Sequence, residues 1–237
     1  MSSLAFLSAD APGAPAAVSP MAREAAAAGA RFETRDGWEV AISYAGLKVE
    51  QQAIRETVGF ADVSHLGVLE LQGDLSSVEG VALQCGTAVR HDDAWWCAAT
   101  PERAFVICAP SATASLRDAL AASFKGHVLD MTSGFAAVAI AGPLARETFA
   151  RFCALDLRPT VTPVAGFRPG SVARTPGYVL REGPDRYLAL VGAAVGSYVW
   201  EVVADAATHL GGRPVGVDAL AEAAPVAATA EEVGTHA

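Results

Sequence analysis

The chain has 237 residues, a formal net charge of -9, and 52% hydrophobic against 18% charged residues. That supplies a core for one or two globular domains. The acidic excess argues against a nucleic-acid partner, which needs clustered Lys and Arg, and no apolar run of about 18 residues suggests a membrane helix.

The leader, residues 1–20, reads as a flexible Ala/Pro stretch without the basic segment of a secretory signal, so a cytoplasmic chain is expected. From Gly67 to Gly73, Leu69 and Leu71 alternate with Glu70 and Gln72, as in a half-buried strand. A short helix is expected next, over Ser76 to Gln84. The runs AWWCAA and RAFVICAP then read as two strands joined by the turn TPER. A helix follows over Ser111 to Phe124, with Ser111 as its N-cap and Leu116, Leu120 and Phe124 on one face.

The second half repeats this order. FAAVAIAG is a strand, and PLARETFARFC is a helix with Pro143 at its first position. GYVLRE and RYLALVG form a strand pair across GPD. SYVWEVVADAATHL is a helix that Gly211 stops. Each half is therefore β-α-β-β-α, the makings of a split βαβ unit, with helices covering the apolar face of each sheet. The expected division is a globular part over 21–221, with modules near 37–125 and 126–217, and a disordered tail over 222–237.

Cys85, Cys97, Cys108 and Cys153 form no CxxC pair and read as buried free thiols, so neither a metal site nor a disulfide is expected. Asp62, Ser64 and His65 lie too close in sequence to converge as a nucleophilic triad, so Asp62 and Ser64 read as a local turn. Asp92 and Asp93 adjoin Trp95 and Trp96. Apolar neighbours would raise the pKa of one carboxylate and suit it to proton transfer; the alternative is an exposed hairpin with Arg90 and His91 as charge partners. Arg158 and Arg168 read either as anion-binding groups or as surface charge.

Three segments carry a family resemblance: Gly37 to Gly67, Glu147 to Leu157, and VARTPGY from Val172 to Tyr178. They resemble the folate-binding part of the glycine-cleavage T-protein (aminomethyltransferase) superfamily, and the later ones also resemble the gamma subunit of heterotetrameric sarcosine oxidase. The resemblance covers roughly residues 21–217. It implies an α+β fold of two ferredoxin-like modules of the folate-binding type, without the C-terminal β-barrel.

The resemblance also implies roles. His65 would line the folate channel, and Asp92 or Asp93 would help transfer a one-carbon unit to tetrahydrofolate. Arg174 and Tyr178 would belong to the substrate or cofactor site, Glu182 would grip the pterin N–H groups, and Arg158 would bind an anionic group. The pattern departs from the family at the lead-in to Asp92, where TAVRH replaces Gly-Gly, and at Pro176, which is inserted before Gly177. Three readings follow. The chain is a subunit of a heteromeric enzyme that acts on a small-molecule amine and passes a one-carbon unit to tetrahydrofolate; or a non-catalytic, gamma-like assembly subunit; or a repurposed enzyme of specialised metabolism that cyclises an amine, as in aziridine formation. The first two expect a second protein chain as partner, and none expects a nucleic acid or a membrane.

Overall fold

The computed structural model describes residues 15–76 and 78–223. The elements in chain order are β1 (Ala17–Val18), α1 (Ala22–Ala27), β2 (Arg31–Arg35), β3 (Trp38–Ser43), α2 (Leu47–Glu56), β4 (Gly59–Asp62), β5 (Gly67–Gly73), β6 (Ala88–His91), β7 (Ala94–Thr100), β8 (Arg103–Cys108), α3 (Thr113–Ser123), β9 (Gly126–Asp130), β10 (Phe135–Ala141), α4 (Ala145–Ala150), β11 (Phe167–Val172), β12 (Thr175–Gly183), β13 (Arg186–Gly192), α5 (Gly196–Thr208), β14 (Arg213–Pro214) and α6 (Val217–Glu222). Two large sheets have the orders β6-β7-β8-β5-β9 and β11-β12-β13-β10-β4-β14, and a small sheet has the order β1-β3-β2.

Strand alternation builds the layers. In β10, Ala136, Val138 and Ile140 face the core under α4 and α5, whereas Ala137, Ala139 and Ala141 face the other large sheet. In β13, Tyr187, Ala189 and Val191 take the helix side, and Leu188 and Leu190 take the inter-sheet side. Trp96 in β7 packs outward with Leu69, Leu71 and Leu120 beneath α3, while Cys97 points inward. The result is helix, sheet, sheet, helix. Both strand pairs need helical cover because each sheet would otherwise expose one apolar face.

The internal repeat is present in the sheet order: β11-β12-β13-β10 has the connectivity of β6-β7-β8-β5. In the second sheet β10 and β12 flank β13, which pairs antiparallel with both, as in a split βαβ unit. The two modules interlock across residue 125. β4, from the first half, pairs with β10, and β9, from beyond residue 125, pairs with β5.

Several local expectations differ from the structure. The described residues of the Ser76 to Gln84 stretch form no helix: Val78 and Val81 bridge each other around Glu79 and Gly80, which have φ of 50° and 73°. Leu75, Val78 and Val81 are drawn into the outer core, and that packing outweighs a weak helical propensity. Ser111 lies in a 3₁₀ turn and does not cap α3, whose N-cap is Ala112 with no side-chain bond. Pro143 precedes α4 by two residues, and Cys153 lies past its end, bridged to Val172. α5 ends at Thr208, and Gly211 does stop it: its φ is 76°, its N–H donates to the Thr208 carbonyl at 3.0 Å, and the Gly212 N–H donates to the Ala207 carbonyl at 2.9 Å. In the leader, Ala17 and Val18 form a strand parallel to Trp38 and Glu39. The rest of the leader, 1–14, and the tail from 224 lie outside the described residues. Among the described residues, no helix is long and apolar enough to cross a membrane, and no three His, Cys, Asp or Glu side chains converge as a metal site.

Candidate functional site

Alternation along β12 sends Tyr178, Leu180 and Glu182 toward the other large sheet, and Val179 toward the helices. A bulge between Arg181 and Gly183 shifts the register beside Glu182. The Glu182 carboxylate therefore sits between the sheets with 16% of its side chain exposed. Its Oε1 accepts from Trp95 Nε1 at 3.1 Å, and its Oε2 accepts from Arg186 Nε at 3.0 Å. Arg186 also donates through Nη1 to the Leu220 carbonyl at 2.9 Å, reaching α6. The Arg90 guanidinium lies 5.5 Å from the Trp95 ring centre. Cys97 is fully buried nearby, and burial, with the Glu182 charge adding to it, pushes its thiol pKa well up, so it is a thiol and not a nucleophilic thiolate.

Tyr178 belongs to an aromatic cluster. It stacks on Phe167 with ring centres 5.3 Å apart, and lies 4.8 Å from Phe105 and 6.3 Å from Phe135. With Phe135, Arg103 and Arg174 it lines an open groove of about 770 Å³. Arg174 stands at the tip of the β11–β12 hairpin, where Ala173 and Arg174 have φ of 48° and 62°. Arg103 donates through Nη2 to the buried Glu70 at 2.9 Å, and its guanidinium lies 5.1 Å from the Phe105 ring centre.

The remaining sequence-predicted residues lie elsewhere. Asp92 and Asp93 form the two-residue turn between β6 and β7, with φ of 46° and 59°, the left-handed pair that a type I′ hairpin requires. Their side chains are 87% and 106% exposed, and their charge partners are His91 at 3.3 Å and Arg90 at 3.9 Å. Both side chains thus stand exposed on the hairpin, with His91 and Arg90 beside them. Arg158 forms several bonds to Asp156 in the exposed loop before β11, and this pairing lowers the Asp156 pKa to about 2.

Asp62 and Ser64 form the expected local turn. Asp62 Oδ1 accepts from the Ser64 N–H at 3.0 Å and from its hydroxyl at 2.7 Å, while Ser64 Oγ accepts from the Ala137 N–H at 3.0 Å. Burial pushes the Asp62 pKa up against these bonds. Burial pulls the His65 pKa down, against the charges of Asp62 and Asp36. Neighbouring Tyr44 is stacked on Trp200 at 6.2 Å, and its hydroxyl is buried without a partner among the described residues.

The structure thus unites Arg174 with Tyr178, places Glu182 on the same strand and the same inter-sheet face as Tyr178, and leaves His65, Arg158 and the Asp92–Asp93 pair apart. Each oxygen of Glu182 already accepts one hydrogen bond from a donor of the protein. Sequence reasoning missed Trp95, Arg186 and Arg103 as partners. Parity along β7 marks Trp95 and Cys97 as one face, but nothing in the sequence says which strand that face meets.

No protein-family model matches the chain. Curated relatives do. An aminomethyltransferase of Acidobacterium capsulatum is 29% identical over 218 residues, covering 81% of this chain and 57% of the relative. One of Synechococcus elongatus is 31% identical over 195 residues, covering 70% and 52%. A Picosynechococcus aminomethyltransferase is 51% identical over 55 residues, which is 23% of this chain and 15% of the relative. Over the longer matches, the chain spans about half the length of these relatives.

Two solved structures share the fold. The glycine cleavage system aminomethyltransferase T of Bartonella henselae superposes with a TM-score of 0.70 at 18% identity, covering 85% of this chain and 60% of that one. A chain of the heterotetrameric sarcosine oxidase of Corynebacterium sp. U-96, solved with pyrrole 2-carboxylate, gives a TM-score of 0.61 at 22% identity, covering 88% and 98%. By sequence over most of its length the chain belongs to the aminomethyltransferase (T-protein) superfamily, and it shares its fold with the two solved structures.

Proposed function

We propose that the chain is an aminomethyltransferase-like subunit of a heteromeric enzyme that acts on a small-molecule amine, and that it completes the assembly in the manner of a gamma-type chain. One observation carries this reading: the match runs through 98% of a chain that itself works inside a heterotetramer. The site geometry agrees. Glu182 is engaged internally, the Asp92–Asp93 pair is exposed, and the aromatic groove of Tyr178 and Phe135 opens outward.

Co-expression with the larger chains of a heterotetrameric sarcosine oxidase tests it. The expected result is one stoichiometric complex by size exclusion with light scattering, active on an N-methylated amine. A chain that elutes alone, with the larger chains fully active without it, sinks the reading.

A second reading is one-carbon transfer to tetrahydrofolate, favoured by the 51% identity to an aminomethyltransferase over 55 residues. It requires Asp92 or Asp93 to manage a proton. On the assembly reading, Asp92→Asn and Asp93→Asn leave the activity of the complex unchanged. A loss of 100-fold or more, the lower end of the range for a general acid–base of about 10²–10⁴, would favour transfer.

A further inference from the structure

We infer that Glu182 is the acceptor of an internal latch closed by Trp95 and Arg186, and not a pterin-gripping site in this chain. A carboxylate offers two oxygens to a fork of donors. Here the fork is made by the protein itself: the Trp95 indole N–H at 3.1 Å on Oε1 and the Arg186 Nε–H at 3.0 Å on Oε2. An aromatic ring presenting an N–H edge to a carboxylate is what a bound heterocycle would also present. The indole comes from β7 of one sheet, the carboxylate from β12 of the other, and Arg186 carries the connection on to the Leu220 carbonyl in α6.

The surroundings keep the indole in place. Arg90 covers a ring face at 5.5 Å. Trp95 itself packs against the inter-sheet core that holds Cys97, Leu180 and Leu188. A heterocycle that took the place of the Trp95 donor on Oε1 would strand the indole N–H and reopen the inter-sheet layer. This inference is independent of the subunit reading, since a gamma-type chain and a free-standing one would both carry the latch.

The full chain serves for the test, with tetrahydrofolate as the titrant under reducing conditions, alongside thermal unfolding of Trp95→Phe, Glu182→Met and the double variant. Trp95→Phe keeps the ring and removes only the N–H. The expected result is no saturable calorimetric signal below about 1 mM tetrahydrofolate. Trp95→Phe is expected to lower Tm by about 2–4 °C in the native background and to have no effect once Glu182 is Met. Micromolar tetrahydrofolate binding that Glu182→Met abolishes would overturn the inference. So would Trp95→Phe and Glu182→Met lowering Tm additively, because two groups that hold each other cannot act independently. Failure of the co-expression experiment leaves both measurements unaffected, so the two proposals fall separately.

Discussion

Glu50 shows how much one side chain can organise. It is fully buried in the first turn of α2. Its Oε1 accepts from the N–H groups of Tyr44, Ala45 and Gly46 and from the Ser43 hydroxyl, and its Oε2 accepts from the Gly216 N–H at 2.7 Å. Burial pushes its pKa up, but the bonds from Gly216, Tyr44, Ser43 and Ala45 outweigh it, so the folded pKa lies below the ordinary carboxylate value. A carboxyl lowered by folding stabilises the protein fully above its unfolded pKa of about 4.3. That contribution fades as pH falls through the folded pKa. Glu50→Gln, which turns one acceptor into a donor facing donors, is expected to cost about 2–3 kcal/mol at neutral pH. Urea titrations from pH 7 down to pH 3 should then show a shallower acid limb for the variant than for the native chain. Nothing local in the sequence marks Glu50, because its five donors come from β3, the following turn and the approach to α6.

At the scale of elements, the β6–β7 hairpin is the clearest local design. Two consecutive left-handed residues fit a type I′ turn, which prefers Asn-Gly. Asp92→Asn with Asp93→Gly is therefore expected to raise Tm by about 2–4 °C in a scan, without changing complex formation. A drop in Tm would mean that the aspartates hold something beyond the turn. The β12 bulge carries a second element-scale consequence. Arg181 is 6% exposed, has no carboxylate partner among the described residues, and donates to the carbonyls of Thr162, Pro184 and Gly183 at 2.8, 2.8 and 3.2 Å. It ties the loop before β11 to the β12–β13 turn. Arg181→Met would orphan buried carbonyls, and a loss of about 2–3 kcal/mol is expected in denaturant titration.

For the whole molecule, the decisive surface is the layer where the two large sheets meet. Ala137, Ala139 and Ala141 face it from β10, and their small side chains leave room for Phe105, Ile107 and Phe167. Ala139→Leu would overpack this layer and is expected to destabilise by about 1–3 kcal/mol, read from the urea midpoint at unchanged slope. An unchanged midpoint would show that the sheets can separate freely. The strands flanking the repeat, α3, α5 and the hairpin turns were legible in the sequence, because period-two alternation and turn chemistry are local properties of the chain. The interlocking of β4 and β9 was not, since either strand satisfies its own alternation against either sheet. The same holds for the site. The sequence by itself determined that Asp62 and Ser64 make a turn and that Glu182 closes a strand before a tight turn. Only the tertiary structure decided that Trp95 meets Glu182, because hydrogen bonds between sheets depend on which faces come together, and no single strand encodes its distant partner.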